Sequence, residues 1–335
     1  MTEPKVSILI PFKNTEAYLQ ECLDSIYTQT YRNWEVLAIN DHSTDESERV
    51  VSGFVKKDAR FKLFQNEGNG IIEALRTAYA NSTGLLISRM DSDDIMTYDK
   101  LEIMVGSLKK YGKGHVAVGI VQYFSDRGIS NGYERYQTWL NGLTAKGTNY
   151  TEIYKECVIP SPAWMSYRED LDACGAFAPN RYPEDYDLTF RFYEKGLKCI
   201  PSDRLVHYWR DYDSRTSRTS AHYAQNYFLD IKLHYFLKLE YDPCRPLAIW
   251  GAGNKGKEIA KGLLARAIYF YWLCDNPKKI GKDIYGKEML HYGVLGTLEK
   301  PQSIITVANT AAQQMIQNYF AERNQRSGSD FFFFC

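Results

Sequence analysis

Short apolar runs alternate with stretches of helical periodicity along the first third of the chain. The strand-like runs cover residues 6–10, 34–40, 61–64 and 85–90. Between the first two runs, Leu19, Leu23 and Ile26 recur at the spacing of one helix face. Continuous apolar runs of this length are typical of parallel strands that are covered on both faces. The resulting order β-α-β-α-β-α-β predicts a doubly wound α/β sheet.

Acidic residues directly follow two of these apolar runs. Asp41 follows the second run, and Asp91, Asp93 and Asp94 follow the fourth. In open α/β sheets, ligands bind beyond the carboxyl ends of the strands, so these carboxylates should face the bound ligand. Because three carboxylates within four residues repel one another, their clustering is costly unless a cation lies among them. The pattern predicts a metal-bridged nucleotide diphosphate, and a cluster that caps a helix is the simpler structural alternative.

The middle of the chain has a less regular pattern. Residues 115–124 alternate like one strand, and residues 127–150 are predicted to be a loop region rich in Gly, Asn and Tyr. An amphipathic helix is predicted to begin near Tyr182 and to end at Gly196. A long helix is predicted over residues 220–239.

Two prolines follow that long helix and precede a new apolar run, which is typical of a linker. The linker candidate is the segment 241–246. We therefore expect two domains, which cover residues 1–242 and 243–335.

A second, smaller α/β unit is predicted after the linker. Gly251, Gly253 and Gly256 follow a short strand and open a helix, and Asp275 ends the next strand. This glycine spacing, with an acidic residue about 20 positions further on, is typical of dinucleotide binding. We expect a Rossmann-like accessory domain that either carries a second nucleotide site at these four residues or only braces the assembly, since Gly251 and Gly253 would also serve the close packing of a helix on a strand. The four phenylalanines 331–334 predict a buried last strand.

Composition and charge exclude several other classes of protein. The 335 residues carry 41 basic and 41 acidic side chains, so no charge excess points to nucleic acid. The seven cysteines are scattered and form no Cys-x-x-Cys pair, which argues against a disulfide framework or a zinc site and for a reducing compartment. No signal peptide is evident, and no apolar stretch approaches the ~20 residues of a spanning helix. We expect a cytoplasmic protein that touches a membrane at most peripherally, at its inner face.

Several short segments, in their order and spacing, are similar to those of one enzyme family. They are Ile10–Asn14, Ser25–Thr30, Trp34–Glu35, Asn40–Asp45, Arg89–Asp94 and Glu184–Leu188. With these segments the chain resembles the family 2 glycosyltransferases over residues 5–220. The resemblance implies the GT-A fold, a doubly wound mixed sheet, together with a nucleotide-sugar donor and Mn²⁺ or Mg²⁺ as cofactor.

The resemblance also implies roles for individual residues. The donor nucleotide pocket would be lined by Pro11, Phe12, Asn14, Asp41, Gly70, Asp91 and Ser92. Asp91 and Asp93 would form the Asp-x-Asp motif that holds the metal. His207 is either a further metal ligand or an ordinary buried strand histidine. Asp185 would be the general base for the acceptor hydroxyl.

Other positions match or depart from the family's pattern around the donor. Trp209–Arg210 and residues 213–220 stand where the family has a segment that closes over the donor. Lys13 stands where the family often has an aromatic residue near the base, and its ammonium could instead reach a phosphate. His42 replaces a more usual glycine in the turn after Asp41, where a side chain narrows the allowed backbone conformations.

The chemistry of sugar transfer suits these residue types. A divalent ion neutralises the charge that grows on a leaving diphosphate, and a carboxylate that takes the proton of a sugar hydroxyl typically contributes ~10² to 10⁴-fold. A single base opposite the leaving group implies one displacement with inversion, unlike the paired carboxylates of retaining hydrolases. We expect an inverting transferase that moves a sugar from a nucleotide-diphosphate donor, first of all a UDP-sugar, to a hydroxyl of a glycan or glycolipid in bacterial surface polysaccharide synthesis.

Two other functions stay open at this point. One is a nucleotide-sugar-binding or sensing protein with an inactive transferase domain, against which the intact acidic motifs argue. The other is an NAD-binding oxidoreductase that works through the C-terminal glycine-rich turn.

Overall fold

The computed structural model describes residues 3–213, 215 and 228–335. The chain divides into two compact units, the first within residues 1–149 and 158–220 and the second within residues 150–157 and 221–335. Most of the predicted closing segment 213–220, and the first part of the predicted helix 220–239, lie outside the described residues. Among the described helices, none combines the length and the apolar character needed to cross a membrane.

The first unit is built on a large mixed sheet. Its described strands are β1 (Val6–Phe12), β2 (Trp34–Asn40), β3 (Phe61–Gln65), β4 (Leu86–Arg89), β6 (His115–Val118), β8 (Trp164–Tyr167) and β9 (Lys198–Ile200). Their order in the sheet is β3-β2-β1-β4-β8-β6-β9. The first four strands of this order pair in parallel, whereas β8 runs antiparallel to both of its neighbours.

The helices of the first unit connect these strands. They are α1 (Glu16–Tyr27), α2 (Ser47–Lys57), α3 (Ile71–Ala80), α4 (Lys100–Tyr111), α5 (Asn131–Lys146), α6 (Arg168–Ala173) and α7 (Glu184–Glu194), and a 3₁₀ turn covers Asn149–Glu152. A smaller sheet places β10 (Leu205–Arg210) between β5 (Ile95–Met96) and β7 (Ile120–Phe124). Because β5 directly follows the acidic residues 91–94, this small sheet brings β10 to them.

The carboxyl ends of β1, β2 and β4 meet at one edge of the large sheet. Nearly all positions of these strands are buried, as the continuous apolar runs predict. Phe12 pairs with Asn40, so β1 and β2 end side by side, and Leu9 pairs with Arg89 on β4. The turns that follow the three strands therefore face the same crevice, which is where α/β sheets bind their ligands.

The alternating run 115–124 is not one strand, contrary to the prediction. It forms β6 and β7, which belong to different sheets and separate at Gly119. A Cβ atom at Gly119 would lie 2.3 Å from Val206 Cγ2 in β10. The chain can approach β10 this closely only because position 119 has no side chain.

The predicted loop region 127–150 contains helix α5, so that prediction is wrong. Helix α5 buries Leu140, and Tyr136 and Trp139 pack against the core of the first unit. Gly132 and Gly142 lie within the helix, where each glycine costs about 1 kcal/mol relative to alanine. Burial of the aromatic and aliphatic face outweighs this propensity penalty, and burial is not visible in the local sequence.

The second unit carries its own sheet, in the order β13-β14-β12-β11-β15-β16. Its described elements are α8 (Leu229–Leu239), β11 (Leu247–Trp250), α9 (Asn254–Leu264), β12 (Tyr271–Cys274), β13 (Asp283–Ile284), β14 (Lys287–His291), a 3₁₀ turn at Tyr292–Thr297, β15 (Gln302–Ile305), α10 (Thr310–Ala321) and β16 (Phe331–Phe333). All pairings except β13 with β14 are parallel. The predicted last strand is confirmed, since residues 331–334 are buried and β16 pairs with β15.

Helix α8 belongs to the second unit, although the sequence analysis placed it at the end of the first domain. The ring of Phe236 packs edge-on against Phe332 at 5.1 Å and against Phe334 at 6.0 Å. Lys232 Nζ donates hydrogen bonds to Lys155 O at 2.8 Å and to Phe334 O at 3.2 Å. These contacts keep α8 and the segment 150–157 with the second sheet, so the compact units divide at a different point from the predicted boundary at residue 242.

Candidate active site

Asp41 follows β2 and organises the turn after β3. Its Oδ1 atom accepts hydrogen bonds from Asn66 Nδ2 at 2.6 Å and from the backbone N–H of Gly70 at 3.0 Å. Lys13 Nζ lies 3.5 Å from the other carboxylate oxygen, Oδ2. Asp41 is only 6% exposed. These contacts bring Asp41 and Gly70 together at the edge of the sheet where the donor nucleotide was expected.

The turns after β1, β2 and β3 are joined by Asn14 and His42. Asn14 Oδ1 accepts from the backbone N–H of Thr44 at 2.8 Å, and the backbone N–H of Asn14 donates to Ser43 Oγ at 3.1 Å. Both Asn14 and His42 have positive φ, at 52° and 59°. His42 Nε2 lies 2.8 Å from Gly68 O. The side chain that replaces the family's usual glycine is therefore held by the neighbouring turn, which offsets the strain of the left-handed backbone.

The remaining residues predicted to line the nucleotide pocket differ in exposure. The ring of Phe12 is buried in the hydrophobic core of the first unit, so Phe12 can face a ligand only with its backbone. Ser92 is buried, and Pro11 is half-buried. Their contact with a nucleotide stays a prediction.

Asp91 is held on both of its carboxylate oxygens. Arg89 Nη2 and Nε lie 3.0 and 3.1 Å from Asp91 Oδ1, and Ser161 Oγ donates to Asp91 Oδ2 at 2.9 Å. Burial by itself would raise the pKa of Asp91, but the Arg89 guanidinium and the Ser161 hydroxyl outweigh burial and lower that pKa. Asp91 is therefore ionised and fixed in orientation.

Strand β10 and the residues after it contact Asp93 and Asp94. Tyr212 Oη donates to Asp93 Oδ2 at 2.8 Å, and Arg210 Nε donates to the Asp93 carbonyl at 2.8 Å. The backbone N–H of Arg210 donates to Asp94 Oδ1 at 2.8 Å. His207 Nε2 lies 2.9 Å from Asp94 Oδ2. The predicted residues Asp93 and His207 are thus close in space, with Asp94 between them.

Negative charge is concentrated in this acidic turn. Burial, followed by the neighbouring Asp94 carboxylate, raises the pKa of Asp93 to about 6. Burial also raises the pKa of Asp94, and the Arg215 guanidinium opposes both increases. Beneath the turn, the fully buried Lys100 donates from Nζ to Pro162 O at 2.5 Å, and burial lowers its pKa to about 8. An additional cation at Asp93 would favour the ionised form of the cluster.

Arg89 also reaches the first residue of helix α7. Its Nη1 atom donates to Glu184 Oε1 at 2.8 Å, so one guanidinium contacts both Asp91 and Glu184. The next residue, Asp185, accepts a hydrogen bond on Oδ1 from the backbone N–H of Tyr186 at 2.8 Å. Burial and the Glu184 carboxylate raise the pKa of Asp185, and Arg89 opposes that increase. Asp185 thus directly follows a residue that shares the Arg89 guanidinium with Asp91, and its role as the general base stays a prediction.

The assignment of Asp91, Asp93 and His207 as metal ligands stays a prediction. Within residues 3–213, 215 and 228–335, no group of three or more His, Cys, Asp and Glu side chains is arranged to hold a metal ion by itself. His207 is fully buried, its Nε2 faces Asp94, and its Nδ1 has no hydrogen-bond partner among the described residues. A metal at this turn would need oxygens from the substrate in addition to Asp93 and Asp91, which is how Mg²⁺ is usually held in nucleotide sites.

Sequence reasoning missed the partners that fix the acidic residues. Ser161 lies 70 residues from Asp91, and Tyr212 lies 119 residues from Asp93. Asn66 lies 25 residues from Asp41. Because a lone Ser, Tyr or Asn has no local pattern that marks it as a partner of a distant carboxylate, no signal in a single sequence could have identified these roles.

The glycine-rich turn of the second unit combines tight packing with one open position. Gly251 has φ +136°, and a Cβ there would lie 2.3 Å from Thr306 Oγ1. A Cβ at Gly256 would lie 2.1 Å from Gly251 O, whereas one at Gly253 would meet no atom within 4 Å. Asp275 is exposed and directly follows β12, the neighbour of β11. Close packing therefore explains Gly251 and Gly256 but not Gly253.

Comparison with known sequences agrees with this geometry. The sequence model of the family described as Glycosyl transferase family 2 matches residues 7–175. The glycosyltransferase GlyA of Streptococcus pneumoniae is 34% identical over 126 residues, which cover 38% of this chain and 18% of GlyA. EpsE of Bacillus subtilis is 28% identical over 223 residues, which cover 66% of this chain and 78% of EpsE. The chain thus spans most of EpsE but less than a fifth of GlyA.

Solved structures show the same fold at low sequence identity. TarS residues 1–349 from S. aureus, in complex with UDP-GlcNAc, superpose with a TM-score of 0.57 and 19% identity, over 78% of this chain and 72% of that one. The mannosyltransferase PcManGT from Pyrobaculum calidifontis, in complex with GDP-Man and Mn²⁺, gives a TM-score of 0.52 and 20% identity, over 79% and 76%. These likenesses confirm the predicted GT-A sheet, and the family match covers half of the sequence. The chain therefore belongs to glycosyl transferase family 2.

Proposed function

We propose that this chain is an inverting, metal-dependent glycosyltransferase. It moves a sugar from a nucleotide-diphosphate donor, first of all a UDP-sugar, to a hydroxyl of a glycan or glycolipid in bacterial surface polysaccharide synthesis. One observation carries the proposal: the Arg89 guanidinium contacts both Asp91 of the acidic turn and Glu184, the neighbour of the candidate base Asp185. The family membership and the donor complexes of TarS and PcManGT support a nucleotide-sugar donor.

The donor nucleotide is proposed to lie over the ends of β1 and β2. Asp41 is fixed there by Asn66 and by the backbone of Gly70, so its second oxygen, near Lys13, is placed to accept hydrogen bonds from a base or ribose. The Lys13 ammonium can move from Asp41 towards a phosphate, because its side chain is 54% exposed and an exposed ion pair contributes little to stability.

The residues of the acidic turn fit a divalent cation. Asp91 and Asp93 would hold it together with diphosphate oxygens. The raised pKa of Asp93 supports this assignment. Burial and the Asp94 carboxylate destabilise the ionised form of Asp93, and a bound cation would offset that destabilisation. When bound, the ion neutralises the charge that develops on the departing diphosphate.

In the proposed reaction, Asp185 accepts the proton of the acceptor hydroxyl. The hydroxyl oxygen forms a bond to the anomeric carbon while the bond from that carbon to the diphosphate oxygen breaks. The electron pair leaves with the nucleoside diphosphate. Attack from the face opposite the leaving group inverts the anomeric configuration. The raised pKa of Asp185 suits a general base, because catalytic efficiency is best when the base titrates near the working pH.

A binding panel followed by a turnover assay tests the proposal. Melting temperatures are measured with UDP, GDP, CDP, dTDP and NAD, each with and without Mn²⁺. A ligand at about 100 times its dissociation constant stabilises the folded state by about 2.7 kcal/mol. We expect a Mn²⁺-dependent shift with one nucleoside diphosphate that is lost in Asp93→Asn and kept in Asp126→Asn, which removes an exposed carboxylate elsewhere.

Turnover of the matching nucleotide sugar with a glycan acceptor then identifies an enzyme. Binding of the nucleotide sugar without any turnover would instead favour a sensing protein. A metal-independent shift with NAD alone would favour an oxidoreductase.

We propose in addition that the second unit binds a nucleotide at the Rossmann-like sheet within residues 243–335. Two observations favour this second site. The parallel strands have the order β14-β12-β11-β15-β16. From β11 the chain adds β12 and β14 on one side of the sheet and then β15 and β16 on the other. The strand order therefore switches between β11 and β15, the point where such sheets bind ligands. The open position at Gly253 leaves the backbone accessible to a phosphate.

A substitution at Gly253 separates binding from folding in this domain. Gly253 is the N-cap of α9, where Asp is among the most favourable residues. Gly253→Asp should therefore preserve or raise the melting temperature while its carboxylate repels a phosphate. Loss of one ligand of the panel in Gly253→Asp, with retention in Asp93→Asn, would support the second site. Unchanged binding of every ligand would refute it.

A further inference from the structure

The side chain of Arg89 lies between two carboxylates that come from distant parts of the first unit. Arg89 ends β4, Asp91 follows two residues later, and Glu184, which begins α7, lies 95 residues after Arg89. The three side chains are largely buried, with 6% exposure for Arg89, 18% for Asp91 and 9% for Glu184. Charged groups this buried are retained at a cost, so their arrangement needs an explanation.

The shape of the guanidinium allows this double contact. Nη1 donates to Glu184 Oε1 at 2.8 Å, while Nη2 and Nε face Asp91 Oδ1 at 3.0 and 3.1 Å. A planar fork with five donors can hold two carboxylates at a fixed separation, whereas the single ammonium of a lysine cannot. Arg89 thus sets the distance between Asp91 and Glu184.

Helix α7 does not depend on Arg89 for its attachment to the first unit. Arg191, in the last turn of α7, pairs with Asp187 at 2.8 Å and donates to the carbonyls of Cys174 and Ala176. The contact of Arg89 is confined to the first residue of the helix, next to Asp185. Arg89 therefore fixes the position of the first helical turn and is not needed for the helix to form.

Only one of the two carboxylate oxygens of Glu184 has a hydrogen-bond partner among the described residues. Oε1 is bonded to Arg89, but Oε2 is buried and has no hydrogen-bond partner among the described residues. A buried carboxylate with one free oxygen costs free energy. Such a group persists in a stable fold only where its cost is outweighed, and sites that must hold a fixed geometry are where such costs are found.

We propose that Arg89 is a positioning residue that acts through Glu184. It holds the first turn of α7, and with it the Asp185 carboxylate, at a set distance from the donor end at Asp91. This inference rests on the proposed function. The donor is bound on the Asp91 side and the acceptor proton is taken on the Asp185 side, so Arg89 couples the two halves of the reaction.

A double-mutant cycle measures the coupling. Arg89→Met, Glu184→Met and the double variant are compared with the wild type for donor affinity by calorimetry and for kcat of sugar transfer. Displacement of a catalytic group by about 1 Å can cost about 10²-fold in rate. We expect Glu184→Met, which removes the acceptor of the Arg89 hydrogen bond, to lower kcat by about that factor while the donor dissociation constant stays within about threefold of the wild type.

The double variant distinguishes coupling from independent damage. If Arg89 acts through Glu184, the double variant has a kcat close to that of Arg89→Met, because contacting residues of one network are not additive. Rate losses that multiply, on the order of 10⁴-fold in the double variant, would overturn the proposal. Arg89→Lys should recover little of the kcat, since it keeps the charge but not the fork.

A matched control on helix α7 separates a loss of stability from a loss of catalytic positioning. Arg191→Met breaks a buried ion pair of similar length and should lower the melting temperature with little change in kcat. If Arg191→Met loses kcat as severely as Arg89→Met, the role of Arg89 is structural and the inference fails. Absence of transfer in the wild type with every donor and acceptor would reject the proposed function itself. Multiplicative rate losses in an active enzyme would reject only the positioning role of Arg89.

Discussion

The Nε2 atom of His207 lies 2.9 Å from Asp94 Oδ2, and both side chains are fully buried. Burial, and next the nearby Lys100 ammonium, lowers the pKa of His207 well below its ordinary value. The imidazole is therefore neutral, and its Nε2 atom forms a hydrogen bond with Asp94, whose other oxygen accepts from the backbone of Arg210. This pair joins β10 to the acidic turn, which is a structural role that does not need a metal.

Replacing His207 separates this structural role from metal binding. His207→Phe leaves Asp94 Oδ2 without its hydrogen-bond partner on β10 and should lower the free energy of unfolding by about 1–3 kcal/mol. The Mn²⁺ dissociation constant, measured with a bound nucleoside diphosphate, should stay within about threefold of the wild type. Unchanged stability together with a tenfold weaker Mn²⁺ affinity would make His207 a metal ligand instead.

Asp185→Asn should abolish transfer without unfolding the protein. The amide cannot accept the proton of the acceptor hydroxyl, so kcat should fall by about 10² to 10⁴-fold. The control is Asp187→Asn on the same helix, which weakens the pair with Arg191 and should cost stability but not the proton-transfer step. Rates are measured with saturating donor and acceptor, and melting temperatures are measured in parallel. Wild-type activity in Asp185→Asn would end the assignment of the base.

The pH dependence of transfer should report the raised pKa of Asp185. Because burial and the Glu184 carboxylate favour the protonated form, the base is protonated at acidic pH and becomes competent as the pH rises through its pKa. The acidic limb of kcat/KM should therefore lie well above about 3.9, the ordinary value for aspartate. Glu184→Gln removes one cause of the increase and should move the limb to lower pH. A limb at the ordinary value in the wild type would contradict the prediction.

Glu35 should contribute stability that disappears in acid. Burial alone would raise its pKa, but hydrogen bonds from Lys5, Lys62, Thr83 and Ser7 lower that pKa far below its ordinary value. A carboxylate with a depressed pKa in the folded state stabilises the protein above its unfolded pKa of about 4.3, and the contribution is lost as the pH falls below that value.

Denaturation at two pH values checks the contribution of Glu35. Glu35→Gln should lower the free energy of unfolding by about 3 kcal/mol at about pH 7, and the difference from the wild type should shrink at about pH 3. Urea midpoints of both proteins give the comparison. A difference that stays constant between the two pH values would show that the loss comes from packing rather than from the charge.

Two alanine substitutions in the glycine-rich turn should differ in how much they destabilise the second unit. Gly256→Ala places a Cβ 2.1 Å from Gly251 O, so the turn or helix α9 must shift and the second unit should lose stability. Gly253→Ala meets no atom within 4 Å, so its cost should be limited to the weaker N-capping of alanine, about 1 kcal/mol or less. Thermal melts followed by tryptophan fluorescence compare the variants, since Trp250 and Trp272 lie in this unit. Equal melting temperatures would contradict the packing argument.

Some elements could be predicted because their signal is local. The strand ends at Asp41 and Asp91 follow continuous apolar runs, and burial of both strand faces requires such runs. Helix α1 buries Leu19, Leu23 and Ile26 as predicted, because these apolar positions recur along one face. The four phenylalanines near the end form a buried parallel strand for the same reason as the first runs do.

Other elements could not be predicted because distant contacts decide them. Helix α5 contains two glycines and many polar residues, and only the packing of Trp139 and Leu140 against the core makes it a helix. The break between β6 and β7 depends on the approach of Val206, 87 positions after Gly119. Local patterns carry no information about which side chain will arrive at such a position.

By itself, the sequence determined which residue types stand at the strand ends and at the start of α7. The apolar runs predicted a doubly wound sheet, and the segments that carry Asp91, Asp93 and Asp185 gave a resemblance from which the GT-A fold and the chemistry were inferred. Only the tertiary structure decided how these groups are held. Arg89 joins Asp91 to Glu184, Ser161 and Tyr212 orient the acidic turn, and β10 brings His207 to Asp94. The physical reason is that hydrophobic periodicity is written along the chain, whereas hydrogen bonds and ion pairs between single residues depend on which surfaces the fold brings together.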